Sequence, residues 1–397
     1  MSDRFRVRGL RVVHRYTPSR LTAIALTVRA GARCDGRHTG LAHLAEHMLF
    51  QGTTSLDQVA LNRRAAELGG EHNADTGYED IALTFEVFNE DLDEALALLA
   101  DQFYRTTVDA RRLRKEQRVV MEEIRGRLDD PAERVYRRAW GRMFGGAIAQ
   151  PVAGTIASVT RIRPSDVSRF LRCRLTHPNT VLAVVGGASA ARVRAAVQRH
   201  FRHGQPGPPA PVPAVRRGTG GSVRVRDRDS SQSYLTMLMP VRPEPRTLLA
   251  TGVAVDIVGA DPDSRLFQEL RERLGLSYEV GAHIESGPDW ACAVVAASGA
   301  RSRAVRLARA VEETCRRAAE EGFAADELDR ARKKLRYRYA ILADSRLDLA
   351  VSLAESELWG FPTPDQAERL VARLSQAEVE AAWRAAVLGR GVRALLT

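Results

Sequence analysis

The 397-residue sequence contains no run of eighteen or more apolar residues, the length that a membrane-spanning helix requires. Its N-terminal segment alternates arginines with apolar residues and lacks the apolar stretch of a secretory signal. Both absences argue against a membrane-embedded or exported protein. We therefore expect a soluble, cytoplasmic protein with no membrane partner.

Cysteine is scarce, and its spacing forms no recognisable site. No C-x-x-C pair is present, and the spacing matches neither a zinc knuckle nor a disulfide framework. We expect reduced, unpaired thiols at all four positions, which are Cys34, Cys173, Cys292 and Cys315.

Lysine is nearly absent, since only three of the 60 basic residues are lysines. The formal net charge is +11, but the arginines are spread along both halves of the chain, often beside acids at helical spacing. A nucleic-acid-binding protein would concentrate this charge in a stripe or a recognisable module. We therefore expect no nucleic-acid partner and attribute the arginine content to codon bias in a GC-rich genome.

Proline and glycine concentrate at residues 203–221, near the middle of the chain, where apolar periodicity is lost. This segment predicts a linker between two domains, residues 1–202 and 222–397. Both parts show β-like runs and helical stretches, including a helical pattern through much of residues 325–359. We predict an α+β fold of two related domains, each a mostly antiparallel sheet packed with helices.

Residues 40–50 show the periodicity of a largely buried helix, and three of their polar residues form a metal-binding motif. His43 and His47 are four residues apart, so both imidazoles project from one face and can reach one ion. Glu46 lies beside them. Zinc held by imidazoles acidifies its bound water, and Glu46 is the natural general base for that water. The order H-x-x-E-H is the inverzincin signature.

A catalytic zinc site needs a third protein ligand and an open position for water. The predicted helix over residues 110–128 offers Glu116, Glu122 and Glu123. Glu116 and Glu123 share a face because they are seven residues apart, whereas Glu122 is rotated by about 100° from Glu123. Spacing alone leaves open which of the pair would bind the metal and which would support it, and a solvated acidic face is the alternative.

Five segments of the sequence together carry a resemblance to a known family. They are GLAHLAEHMLFQGT at residues 40–53, GEHNADT at 70–76, KEQRVVMEEI at 115–124, QPVAG at 150–154 and DSRLFQELRERLGLSYEV at 263–280. These segments resemble the M16 zinc peptidases, which include mitochondrial processing peptidase, pitrilysin, insulin-degrading enzyme and short bacterial relatives. The resemblance covers nearly the whole chain and implies the M16 peptidase-like fold.

The resemblance also implies a role for particular residues of the first domain. It assigns Glu123 as the third ligand of one Zn²⁺ per chain and Glu116 as an acid that supports the site. It further implies that residues 72–76 form an edge strand to which a bound peptide adds a strand, and this makes Asn73 and Ala74 candidates for substrate contacts.

In the second domain the resemblance assigns Arg271 and Tyr278 to the catalytic machinery. By this likeness the two side chains reach the substrate near the zinc, where a guanidinium and a phenol can donate hydrogen bonds to a peptide carbonyl or an oxyanion. The chain departs from the family before Ser264, where a stiffer and more acidic loop replaces a glycine-rich one. A role of this loop in substrate capture is therefore in doubt.

The resemblance implies an endopeptidase that cleaves peptides or unfolded segments in a closed chamber. Chains of this length resemble half of the insulin-degrading enzyme, so we expect a homodimer or a heterodimer with an M16 homologue. Removal of leader peptides from ribosomally made natural products is one hypothesis for the substrate, and general peptide turnover is the other. The alternative function is a non-catalytic assembly subunit, although such relatives usually lose the zinc motif.

Overall fold

Strands rich in small and β-branched residues form two large β-sheets and a two-stranded one (β6 with β8) in the computed structural model, which describes residues 2–204, 206–227 and 230–397. The strands are, in chain order, β1 (Asp3–Val7), β2 (Leu10–Tyr16), β3 (Leu21–Val28), β4 (His72–Thr76), β5 (Ile81–Phe88), β6 (Phe144–Gly145), β7 (Thr180–Gly186), β8 (Arg216–Arg217), β9 (Gly221–Val225), β10 (Gln232–Pro240), β11 (Glu279–Gly287), β12 (Trp290–Ala300) and β13 (Val392–Leu396).

Helices cover most of the remaining chain. The α-helices are α1 (Leu41–Leu49), α2 (Gln58–Glu67), α3 (Leu92–Arg105), α4 (Ala110–Asp129), α5 (Pro131–Met143), α6 (Ile156–Val159), α7 (Pro164–Arg174), α8 (Ala190–His200), α9 (Pro245–Val255), α10 (Arg265–Phe267), α11 (Ala304–Glu321), α12 (Ala325–Asp344), α13 (Arg346–Trp359), α14 (Pro364–Val371) and α15 (Gln376–Leu388). Asp256–Ala260 and Gln268–Arg273 are π-helical. Short 3₁₀ turns lie at Ala32–Cys34, Asn89–Asp91, Ala147–Ala149, His177–Asn179 and Arg301–Arg303.

The chain forms two compact units that exchange segments. The first unit comprises Met1–Ile124, Gln150–Pro213 and Leu342–Thr363, and the second comprises Arg125–Ala149, Ala214–Ile341 and Pro364–Thr397. The first unit thus includes α13 and the second includes α5. The two units therefore differ from the predicted domains, residues 1–202 and 222–397, at these two helices. Each helix buries its apolar face in the unit that the other half of the sequence mainly forms.

The first unit is built on a six-stranded sheet in the order β1-β2-β7-β3-β5-β4. Only β2 and β7 pair in parallel. Apolar side chains on one face form a core with α1, α3 and α8, whereas the other face packs on Leu349, Leu353 and Leu358 of α13. Strand β4 lies at the edge, so within the described residues its outer row of backbone groups has no strand partner.

The second unit is built on a five-stranded sheet in the order β11-β12-β10-β13-β9, in which β13 and β9 pair in parallel. Its core joins this sheet to α9, α11 and α15, with the fully buried Trp383 among its largest side chains. Helix α5 packs on β10 and β13. The two sheets and their helices confirm the predicted two-domain α+β class.

None of the helices in the described part of the chain is long and apolar enough to cross a bilayer.

Polar contacts tie both ends of α13 to the first sheet. Near its start the Arg346 guanidinium lies 2.9 Å from a Glu86 carboxylate oxygen, and at its end the Trp359 indole donates to Asp80 over 2.7 Å. The Arg29 guanidinium lies 4.5 Å from the centroid of the Trp359 ring. These contacts fix a segment that is more than 250 residues from its partners in sequence.

The Asp80 contact leads to a prediction for stability. Burial raises the pKa of the Asp80 carboxyl to about 6, although the Trp359 indole opposes this shift. Between roughly pH 4 and 6 the folded protein therefore keeps a proton that the unfolded chain releases, and stability is lost as the pH rises through this window. We expect wild type to lose about 1–3 kcal/mol more than Asp80→Asn over that range, as measured by urea unfolding of the metal-free proteins. An identical pH dependence for the two proteins would contradict this assignment.

Candidate metal centre

The helix that carries the metal motif, α1, is fixed at its N-terminus by two local devices. Gly40 has a φ of +88°, and a Cβ atom at this position would lie 2.6 Å from the Ala153 carbonyl oxygen, so only glycine fits. The Asp35 carboxylate accepts hydrogen bonds from the backbone N–H groups of Gly40 (2.6 Å) and Ala42 (2.7 Å). These N–H groups have no acceptor within the helix, so Asp35 stabilises the helix start.

Three side chains on α1 and α4 converge on one point. The Nε2 atoms of His43 and His47 each lie 3.8 Å from a different oxygen of the Glu123 carboxylate. One ligand atom of each residue lies within 4.8 Å of the other two. Tetrahedral ligand atoms at about 2.0–2.2 Å from one ion lie about 3.3–3.6 Å apart, so the 3.8 Å separations need to close only slightly, and two imidazoles with a carboxylate are a donor set of catalytic zinc. The residues therefore fit a zinc ion.

Glu116 orients the second histidine from behind. Its buried carboxylate lies 3.1 Å from His47 Nδ1. When the imidazole is neutral, this contact favours the tautomer with the proton on Nδ1, which leaves the Nε2 lone pair on the side of Glu123. Burial lowers the pKa of His47, but the hydrogen bond to Glu116 and the charges of Glu46 and Glu123 outweigh it and raise the pKa. Glu116 and Glu123 thus stand on opposite sides of the His47 ring.

We expect Glu116→Gln to weaken zinc binding by about 10–100-fold, because the neutral amide orients and polarises His47 less strongly than the carboxylate. Competition with a chromophoric chelator measures this affinity. The matched control is Glu122→Gln on the same helix, since the Glu122 side chain is exposed and lies outside the three-residue cluster. Equal affinities in the two variants would remove Glu116 from the support of the metal centre.

Glu46 lies on α1, and its hydrogen-bond partner is not one of the three converging side chains. Its Oε2 accepts a hydrogen bond of 2.6 Å from the Thr76 hydroxyl at the end of β4. Burial raises the pKa of the Glu46 carboxyl to about 7, although the Thr76 hydroxyl and the His47 charge oppose this shift. A carboxyl that titrates near neutral pH is suited to both taking and returning a proton.

The predicted substrate strand is β4, and its side chains alternate between two environments. Asn73 is exposed and pairs with Thr84, whereas Ala74 is half-buried and pairs with Leu83 of β5. His72 stacks on Phe85, with ring centroids 4.7 Å apart, and burial lowers its pKa to about 4. His72 is therefore a neutral packing residue, while substrate contact by Asn73 and Ala74 stays a prediction.

Arg271 and Tyr278 both lie in the second unit, in contact with one another. The Arg271 guanidinium donates to the Tyr278 carbonyl oxygen over 3.4 Å and lies 5.1 Å from the centroid of the Phe267 ring. The Tyr278 side chain is 62% exposed, an unusual degree for a tyrosine that follows a buried leucine and serine. Both residues present polar groups that can reach a ligand, and their catalytic role stays a prediction.

The acidic loop before Ser264 is neutralised within the second unit. Lys334 of α12 contacts both Asp261 and Asp263, and Arg338 lies 3.8 Å from Asp261. The loop is therefore tied to a helix by ion pairs, which agrees with the stiffness that its sequence predicts.

Two polar contacts of this site were not predicted from the sequence, namely those of Asp35 and Thr76. A carboxylate a few residues before a predicted helix is a signal for N-terminal capping and would have suggested Asp35. Thr76 gives no local signal, because its partner is thirty residues away in sequence.

Comparison with known proteins shows the family of this chain. Residues 11–152 match the family model of insulinase, peptidase family M16, and residues 161–335 match that of the peptidase M16 inactive domain. The chain is 30% identical over 339 residues to an uncharacterised zinc protease of Mycobacterium leprae, an alignment that covers 83% of this chain and 76% of the relative. A similarly named zinc protease of Streptomyces coelicolor is 28% identical over 365 residues, which cover 89% and 79% of the two chains. The chain belongs to the M16 peptidase family.

Solved structures share the fold. A protease from Helicobacter pylori superposes with a TM-score of 0.93 at 17% identity, covering 100% of this chain and 99% of that one. A peptidase M16 inactive domain from Pseudomonas fluorescens gives a TM-score of 0.91 at 18% identity, with 100% and 97% covered. The likeness at these identities concerns the fold alone, and it confirms the M16 peptidase-like fold.

Proposed function

We propose that the protein is a zinc-dependent endopeptidase that cleaves peptides or unfolded segments. The convergence of His43, His47 and Glu123 beside the Glu46 carboxylate carries this proposal. The relatives named zinc proteases support the same class.

In the proposed mechanism each residue acts on the water or on the peptide. His43, His47 and Glu123 would hold the zinc ion, which would supply a Lewis acid to lower the pKa of the attacking water. The Glu46 carboxylate takes a proton from the attacking water and later gives it to the leaving amine. Arg271 and Tyr278 are proposed to donate hydrogen bonds to the carbonyl oxygen, whose negative charge grows during attack.

The open edge of β4 is the proposed substrate platform. A peptide in extended conformation can pair with its unpartnered backbone groups, and such pairing gives affinity while reading little sequence. Asn73 and Ala74 at the middle of this strand would contact the peptide. This mode of binding requires an extended segment, so folded domains would not be substrates.

We propose in addition that two chains enclose the substrate in a chamber, either as a homodimer or with an M16 homologue.

The physiological substrate is proposed to be a leader peptide or a peptide in general turnover. Cleavage of a precursor peptide that is encoded beside this gene would favour leader removal, and failure to cut that precursor would exclude it.

The proposed function is tested with metal-free protein to which one equivalent of zinc or of magnesium is returned. We expect zinc alone to restore internal cleavage of a diverse library of unfolded peptides, as read by mass spectrometry of the products. Protein that takes up zinc but leaves every peptide intact, both alone and with candidate partner chains, would favour the non-catalytic assembly subunit.

A further inference from the structure

We propose that Thr76 is a positioning residue that holds the Glu46 carboxylate for proton transfer and links it to the strand that binds the substrate. The inference rests on the proposed function. It concerns a residue on β4, outside α1 and α4, the two helices that carry the converging side chains.

The contact is short and specific. Thr76 Oγ1 donates to Glu46 Oε2 over 2.6 Å, which is the length of a charge-assisted O–H···O bond. A single strong donor on one carboxylate oxygen restricts rotation of the group about its last torsion. Oε1 is then held in a defined orientation for a water on the metal side.

Strand alternation places the Thr76 hydroxyl on the side of Glu46. His72, Ala74 and Thr76 are half-buried, whereas Asn73 and Asp75 are exposed. Thr76 is also β-branched, so its χ1 torsion is restricted and its hydroxyl has few alternative positions. The residue is therefore suited to present a donor in one direction.

The backbone at Thr76 is fixed by the turn that follows it. Gly77 N–H donates to the Asp80 carbonyl over 2.9 Å and closes the turn. The segment after β3 is hydrogen-bonded to this turn. The N–H groups of Ala32 and Arg33 donate to the carbonyls of Gly77 and Tyr78, each over 3.0 Å. These bonds leave Thr76 little freedom to move away from its partner.

The same segment approaches the turn closely and also anchors α1. A Cβ atom on Gly31 would lie 2.4 Å from the Tyr78 carbonyl, so glycine is required for this approach. A few residues later, Asp35 binds the first N–H groups of α1. One hydrogen-bonded segment therefore holds both Thr76 and the helix that carries Glu46.

A consequence for catalysis follows from the position of Thr76 on the substrate strand. A peptide paired with the open edge of β4 would be held in register with Thr76, and through Thr76 with Glu46. Loss of the hydroxyl should therefore impair the chemical step and leave peptide binding unchanged, because the backbone of β4 is not altered.

The test compares Thr76→Val, which keeps the shape and removes the hydroxyl, with Thr76→Ser, which keeps the hydroxyl. The control is Thr27→Val in β3 of the same sheet, whose buried hydroxyl has no hydrogen-bond partner among the described residues. We expect kcat of Thr76→Val to fall by about 10–100-fold with KM and zinc affinity within about twofold of wild type. Thr76→Ser should recover most of the loss, and Thr27→Val should show none.

A double-mutant cycle tests whether Thr76 acts through Glu46. In a Glu46→Asp background, where the carboxylate is drawn back from the hydroxyl, Thr76→Val should lower kcat by less than about threefold. An undiminished effect in that background would show that Thr76 acts elsewhere. A wild-type value of kcat in Thr76→Val would equally overturn the proposal, as would a loss that appears only in KM or in zinc binding.

A readout that does not need turnover keeps the proposal testable if no substrate is cleaved or if Thr76→Val does not fold. The ¹³C resonance of the Glu46 side-chain carboxyl, assigned by its absence in Glu46→Gln, should shift in Thr76→Val or Thr76→Ala and stay in place in Thr27→Val. A resonance that is unchanged in the folded Thr76 variants would contradict the contact. Protein that shows the shift but cleaves no peptide would refute the proposed peptidase function instead.

Discussion

Glu46→Gln is expected to bind zinc as wild type does and to cleave peptides about 10²–10⁴-fold more slowly. Glutamine has the same shape and can still accept the Thr76 hydrogen bond at its amide oxygen, so the helix and the three converging side chains stay in place. The amide cannot take a proton from water near neutral pH. Zinc analysis and peptide cleavage on the same preparation measure both parts of this prediction.

Glu122→Gln serves as the control for the Glu46 variant, because it makes the same chemical change at an exposed position. Its zinc content and its cleavage rate should match those of wild type. Unchanged cleavage by Glu46→Gln would remove Glu46 from the mechanism. Loss of zinc from this variant would instead show that Glu46 supports the metal directly.

Glu123→Gln should lose zinc, and cleavage should be lost with it. The carboxylate supplies both oxygens that lie 3.8 Å from the histidine nitrogens, and a neutral amide is a much poorer zinc ligand. We expect the zinc affinity to fall by more than the roughly 100-fold limit for a residue that only supports a ligand. Chelator competition provides the measurement.

Glu122→Gln is again the matched control. It removes one negative charge from another face of α4, so it tests whether zinc affinity depends on the position of the carboxylate or only on the charge of the helix. Glu122→Gln should keep wild-type affinity. A Glu123→Gln protein that binds zinc as tightly as this control would exclude Glu123 as a ligand, and the third ligand would have to be sought elsewhere.

Sequence reasoning predicted the part of the site that depends on local geometry. Two histidines at i and i+4 of a helix must share a face, and the structure places His43 and His47 with ring centroids 4.8 Å apart. Spacing on α4 made Glu116 and Glu123 candidates for the third ligand without distinguishing them, because both lie on one face, and it left a solvated acidic face as the alternative. Which of the two is the ligand depends on which carboxylate lies near Nε2 of His47 and which lies near Nδ1. Tertiary packing determines this arrangement.

The local sequence pattern could not predict which unit each of the exchanged helices would join. Residues 325–359 have one continuous helical pattern, but the structure breaks it between α12 and α13, where the Ser345 hydroxyl accepts from the Asp348 N–H. Helix α13 then packs on an apolar face of the first sheet, where Leu349 and Leu353 are buried. A pairing between residues hundreds of positions apart leaves no periodic signal in the sequence.

Zinc-edge anomalous diffraction from crystals of the zinc-loaded protein tests the central claim most directly. We predict one anomalous peak per chain at about 2.0–2.2 Å from Nε2 of His43, Nε2 of His47 and a carboxylate oxygen of Glu123, with Glu46 outside the coordination sphere. A stoichiometric zinc peak on any other set of residues, or no peak between these three side chains, would contradict the account.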